Sequence, residues 1–104
     1  MAWWLLAGAG IMEVAWALGL KHTDGFTRLW PSIFTVGAMA ISFWLLSLAL
    51  RSLPIGTAYA VWTGIGALGT GLIGMAVLGE PATALRLAGL GLIVGGIVML
   101  KLAG

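Results

Sequence analysis

The stretch WPSIFTVGAMAISFWLLSLAL, residues 30–50, contains 21 residues and no charged side chain. A helix rises about 1.5 Å per residue, so this stretch would be long enough to cross the roughly 30 Å hydrocarbon core of a bilayer. Pro31 falls in the first turn of the predicted helix, where its missing N–H costs no hydrogen bond. The stretch therefore predicts a transmembrane helix.

Apolar runs on both sides repeat this pattern. They are separated by short segments in which charged residues, proline and turn-forming residues are concentrated. Because connections as short as KHTDGFTR and RSLP force neighbouring helices to run antiparallel, we expect an all-α integral membrane protein with one four-helix domain over residues 1–104. Its predicted spans cover residues 3–20, 30–50, 55–79 and 84–102.

The composition supports a membrane protein and excludes several other classes. Of the residues, 62% are hydrophobic and 8% are charged, whereas a soluble domain of this length needs far more polar surface. The five basic residues are scattered and the net charge is +2, so nucleic acid is not an expected partner. The absence of cysteine excludes disulfides and thiolate metal sites. Since the N-terminus lacks a basic signal-peptide region, we expect the first run to be a retained span.

The distribution of positive charge leaves the orientation open. The side of the membrane that holds the N-terminus would carry Arg51 and Lys101, and the other side would carry Lys21, Arg28 and Arg86. Two against three is almost no positive-inside bias. Either one topology is fixed by another feature, or copies insert both ways and pair as an antiparallel dimer.

Glu13 is the only acidic residue inside an apolar run. It follows Trp3 by ten residues, which places it about 15 Å into the bilayer, near the midplane. An acidic residue there costs about 2.5–3.5 kcal/mol and usually marks a transport or proton site. The alternative is a protonated glutamate that is hydrogen-bonded between helices.

The helical neighbours of Glu13 leave space for a ligand. Positions three and four residues away hold three small residues and the indole of Trp16. In the second run Ser42 lies near the centre, and in the third Tyr59, Trp62 and Thr63 share one helical face. The alternatives are a Ser42 hydroxyl bonded to its own helix and aromatics that serve packing or the membrane interface.

A carboxylate lined by aromatics and a hydroxyl suits an organic cation. Carboxylate oxygens accept a pair of N–H donors from a planar cation, and aromatic faces attract positive charge. His22 is the only histidine, and the chain does not gather the oxygen ligands that a hard metal ion needs, so we expect no metal and no cofactor. If protons and the cation compete for Glu13, proton influx would drive cation export.

The whole chain resembles the small multidrug resistance family, and within it the guanidinium exporter subtype. Three parts of the sequence carry the resemblance: Gly10, Glu13 and Trp16 at spacings of three, the loop KHTDGFTR, and the string LPIGTAYAVWTGIGALGT. Drug-exporting relatives typically carry glycine at the position of Trp16. Lys101 also looks like the exporter subtype.

The resemblance implies a fold, a site and an activity. It implies an antiparallel, dual-topology homodimer in a bacterial inner membrane, in which Glu13 of both subunits binds protons and substrate. The implied binding residues are Glu13, Trp16, Ser42, Tyr59, Trp62 and Gly10, and the implied dimer interface contains the GxxxG pair Gly91 and Gly95. Trp16 would orient the Glu13 carboxylate through its indole N–H. The implied activity is proton-coupled export of guanidinium and small substituted guanidinyl cations by alternating access.

Other functions remain open on the sequence. A broad quaternary-ammonium exporter is disfavoured by Trp16. A membrane assembly subunit that uses Glu13 only to bind helices together belongs to a different class. An enzyme is not expected, because the spans contain no pair of nucleophile and base.

Overall fold

The computed structural model describes residues 1–103, which form four long helices. They are α1 Ala2–His22, α2 Leu29–Ala49, α3 Ile55–Ala76 and α4 Ala84–Ala103. Each is long and apolar enough to cross a membrane. The prediction of an all-helical chain with four candidate spans is therefore confirmed.

The helix α3 ends three residues before the apolar run that predicted it. The Val77 N–H donates to the Ile73 carbonyl, and the N–H groups of Leu78 and Glu80 both donate to the Gly74 carbonyl. Gly79 has a φ of +75°, a left-handed conformation that glycine adopts without a steric penalty. The chain thus turns away from the helix axis while its side chains are still apolar, which hydropathy alone does not reveal.

The central element of the bundle is α1, which packs against α2 and α3, while α4 packs against α3. A small buried cluster joins the first three helices at the end nearest the N-terminus. Its members are Leu6, Ala9, Ala49, Ala58, Val61 and Trp62. Each short connection reverses the chain direction, so α1 and α3 run in the same direction. Both helices extend from this cluster to the middle of the bundle.

The helix α4 differs from the others because none of its described residues is buried. Its large apolar side chains, Leu92 and Met99 among them, are exposed in the single chain. An ion pair joins the start of α4 to the connection that precedes it, where Arg86 Nη2 lies 3.3 Å from Glu80 Oε1. In the single chain, α4 is thus an apolar helix on the outside of the bundle.

Candidate functional site

Glu13 lies near the middle of α1, and its carboxylate packs directly against Gly66 of α3. A Cβ built on Gly66 would collide with the Glu13 carboxyl group, so only glycine accommodates this contact. Oε1 of Glu13 is buried and accepts no hydrogen bond from any group in residues 1–103. A buried carboxylate oxygen without a donor is costly, which makes this atom a candidate for binding a proton or a cation.

Close packing of α1 on α3 fixes the position of Glu13. Gly10 is buried against the Ile65 side chain one turn before the carboxylate, and Gly69 faces Val14 one residue after it. The structure therefore places Gly10 in the helix contact next to the site. In this position a larger side chain would push α3 away from Glu13.

Ser42 connects the three helices around the site. Its hydroxyl is fully buried, donates to the Ala9 carbonyl of α1 at 2.7 Å, and accepts from Trp62 Nε1 of α3 at 2.9 Å. The alternative interpretation, in which the Ser42 hydroxyl bonds to its own helix, is therefore wrong. The hydroxyl donates to α1 instead. These two hydrogen bonds hold Trp62, which is 7% exposed, in one orientation.

Aromatic side chains from all three helices form a continuous row. The ring centroids of Trp16 and Phe43 are 6.3 Å apart, those of Phe43 and Trp62 are 5.7 Å apart, and those of Trp62 and Tyr59 are 5.6 Å apart. The first two pairs meet edge to face, a favourable geometry for aromatic rings. The structure thus brings Trp16, Trp62 and Tyr59 together as an aromatic lining.

The expected hydrogen bond between Trp16 and Glu13 is not formed. Trp16 Nε1 is buried and donates to no acceptor in the part of the chain that the structure describes. The indole instead packs its ring against Phe43. Trp16 consequently contributes an aromatic face and an unused N–H donor, while Glu13 keeps an unused acceptor.

Three residues near the site were not singled out by the sequence analysis. Phe43 links Trp16 to Trp62, Gly66 receives the Glu13 carboxylate, and Thr70 has a buried Oγ1 without a hydrogen-bond partner among residues 1–103. The sequence could have indicated Gly66 and Thr70. They follow Trp62 at spacings of four and therefore share its face of α3. Phe43 had no comparable signal.

More open positions are occupied by Tyr59, predicted to bind the ligand, and by Gly91 and Gly95, predicted to lie in a dimer interface. Tyr59 is 57% exposed, and both Tyr59 and Thr63 line a groove between α3 and α4. At Gly91 and Gly95 of α4 an added Cβ would meet no atom of the described chain within 4 Å. Lys101 Nζ lies 4.7 Å from the centre of the Trp3 ring, a cation–π distance, near the end of the bundle.

Residues 1–103 contain no group of three histidine, cysteine or acidic side chains that could hold a metal ion. Glu13 carries the only carboxylate among the described residues of the four helices. This arrangement suits a proton or a monovalent organic cation better than a divalent metal.

Comparison with known proteins gives an end-to-end match. A family model described as Small Multidrug Resistance protein matches residues 1–93. Guanidinium exporters of Citrobacter freundii and Salmonella typhimurium are each 59% identical over 103 residues, covering 99% of this chain and 98% of the relative. A guanidinium exporter of Yersinia pestis is also 59% identical and covers 99% of both chains.

Proposed function

The chain belongs to the Small Multidrug Resistance protein family, and on this premise we propose that it exports guanidinium and small substituted guanidinyl cations in exchange for protons. Its four apolar helices and its bacterial relatives make it a multi-pass protein of the bacterial inner membrane. The relatives are named as exporters, which are transporters and not enzymes. The substrate and the coupling to protons are the content of the proposal.

The observation that carries the proposal is the buried Glu13 Oε1, which has no donor within the described residues. An ionised carboxylate in the middle of a membrane needs either a proton or a positive partner. Guanidinium fits because it is planar, weakly hydrated and able to present paired N–H donors to a carboxylate. Since one carboxylate holds either a proton or a cation, the two ligands compete, and their exchange couples the two fluxes.

The aromatic row supports an organic cation as the ligand. The row begins at Trp16, which follows Glu13 by three residues on the same face of α1, and it extends through Phe43 to Trp62 of α3. Aromatic faces attract cations by about 0.5–2 kcal/mol, more where water is excluded. The hydrogen bond to Ser42 restrains Trp62, so a flat cation meets a lining that is already ordered.

Completion of the site by a second copy of the chain is part of the proposal. In an antiparallel homodimer the Glu13 residues of both subunits would share one pocket, which would open to one side of the membrane at a time. The exposed apolar surface of α4, with open space at Gly91 and Gly95, supports pairing of two copies. The nearly balanced distribution of positive charge supports insertion in both orientations.

Transport by purified protein in liposomes tests the proposal. Proteoliposomes with an imposed proton gradient would be supplied with guanidinium, methylguanidinium or tetraethylammonium, and proton flux would be followed with an internal pH-sensitive dye. We expect uptake of either guanidinyl cation by the parent protein to drive protons out of the liposomes. Tetraethylammonium should drive little proton efflux. The Glu13→Gln variant, which keeps the shape of the side chain, should give no coupled flux.

Two results would contradict the proposal. Faster exchange of tetraethylammonium than of guanidinium would indicate a quaternary-ammonium exporter. Proton-coupled guanidinium exchange by the Glu13→Gln variant would show that another group couples the two fluxes. Asp24→Asn, which neutralises an exposed carboxylate in the connection between α1 and α2, is the matched control and should retain transport.

A further inference from the structure

The hydroxyl of Thr70 on α3 is not used by its own helix. Hydroxyls in apolar helices usually donate to a backbone carbonyl three or four residues earlier. Thr35 donates in this way to the Pro31 carbonyl at 2.8 Å, and Ser47 to the Trp44 carbonyl at 2.6 Å. Thr70 Oγ1 is buried yet has no hydrogen-bond partner among the described groups. Its hydroxyl is therefore available to a group outside α3.

The position of Thr70 relates this hydroxyl to the Glu13 carboxylate. Gly66, which contacts the carboxylate, precedes Thr70 by four residues, a rise of about 6 Å along the same helix face. Gly69, directly before Thr70, packs against Val14, directly after Glu13. Thr70 thus lies on the face of α3 that packs against α1, about one helical turn beyond the point where Gly66 contacts the carboxylate.

The spacing matches the needs of a guanidinyl cation. Every nitrogen of guanidinium carries N–H donors, and one carboxylate binds only the pair that faces it. The remaining donors need acceptors of their own, because a buried N–H without a partner loses the hydrogen bond that it made to water. A hydroxyl oxygen about one turn from the carboxylate can accept one of them, whereas a quaternary ammonium ion has no N–H to offer.

We propose that Thr70 determines specificity in this site by accepting an N–H of a guanidinyl cation whose other N–H groups are bound by Glu13. This inference rests on the proposed function and adds a residue to it. Thr70 favours cations with N–H donors on more than one nitrogen. It thereby discriminates against cations whose nitrogen is fully alkylated, independently of the space that Trp16 occupies.

A pair of substitutions at Thr70 separates the hydroxyl from the shape of the side chain. Thr70→Val removes the hydroxyl at constant shape, and Thr70→Ser keeps the hydroxyl. Thr35→Val is the matched control, because that hydroxyl is already bonded within α2. The measurements are the Kd for guanidinium in detergent at alkaline pH, read by tryptophan fluorescence, and KM and kcat for guanidinium exchange in proteoliposomes.

We expect Thr70→Val to weaken guanidinium binding by about five- to tenfold, which corresponds to one net hydrogen bond. KM should rise by the same factor with kcat unchanged, while Thr70→Ser and Thr35→Val should stay within about twofold of the parent protein. Unchanged binding in Thr70→Val would overturn the inference. So would an equal loss of kcat and thermal stability in the valine and serine variants, since that pattern indicates a packing role.

Failure of the proposed function would give different results from failure of the role of Thr70. In that case the parent protein itself would neither bind guanidinium nor exchange it for protons, and the inference would fall with it. A parent protein that binds guanidinium, together with a valine variant that binds equally well, would remove only the role of Thr70. The parent measurement therefore distinguishes the two failures.

Discussion

The Glu13 carboxylate lies against the backbone of Gly66, at a point where even a methyl group on α3 would collide with it. This contact joins the one acidic residue of the spans to the helix that also carries Trp62 and Thr70. The packing of α1 on α3 therefore determines where the charge of Glu13 can lie.

Gly66→Ala should disturb this relationship. In a helix, alanine is favoured over glycine by up to about 1 kcal/mol, so the substitution should not weaken α3 itself. The added methyl group would displace the Glu13 carboxylate, and we expect guanidinium exchange in proteoliposomes to fall by at least about tenfold. Gly37→Ala is the control, because an added Cβ there meets no described atom within 4 Å. Parent-like transport by Gly66→Ala would show that the carboxylate does not depend on this contact.

Ser42→Ala should loosen the aromatic row. It removes the acceptor of the Trp62 N–H and the donor to the Ala9 carbonyl, leaving the buried Trp62 N–H unpaired at a cost of about 1–3 kcal/mol. We expect a lower melting temperature in detergent and weaker guanidinium binding, both read by tryptophan fluorescence. Ser47→Ala is the control, since Ser47 is exposed and bonds only within α2. Equal stability of the two variants would argue against the role of Ser42 as a connector.

Binding of guanidinium should weaken as the pH falls. The ionised form of Glu13 attracts the cation, and protonation removes both its charge and an acceptor oxygen. The complex is therefore stable at high pH and is lost at low pH. Kd should rise by up to about tenfold per pH unit once most Glu13 is protonated. Titration of the parent protein at several pH values measures this slope. A Kd that does not vary with pH would exclude competition at Glu13.

Gly95→Ile should weaken the proposed dimer without altering the protomer. The space around Gly95 is open in the single described chain, so a large side chain fits there unless a second copy packs against α4. We expect less cross-linked dimer and less transport in liposomes, because close helix contacts in a bilayer depend on small residues. Gly37→Ile places the same side chain on α2 and should dimerise normally. A fully dimeric Gly95→Ile variant would locate the interface elsewhere.

The sequence predicted the elements more completely than their contacts. Apolar runs bounded by charge, proline and turns located four spans, because a lipid environment requires each crossing segment to be long, apolar and helical. The observed end of α3 differed from the predicted one. Hydrogen bonds to the Gly74 carbonyl and the left-handed Gly79 end the helix inside an apolar segment. Hydropathy does not record backbone hydrogen bonds.

Glu13 was identifiable from the sequence alone because a lone carboxylate is costly at the middle of a span, whatever surrounds it. The surroundings were decided only by tertiary structure. Gly66 is one of many glycines until α1 packs on α3, and Ser42 could bond to its own helix until Ala9 and Trp62 come within reach. That a charge at mid-span is costly follows from the residue type and its depth, so the sequence reveals it. Hydrogen bonds and close contacts depend on distances between helices, which arise only when the chain is packed.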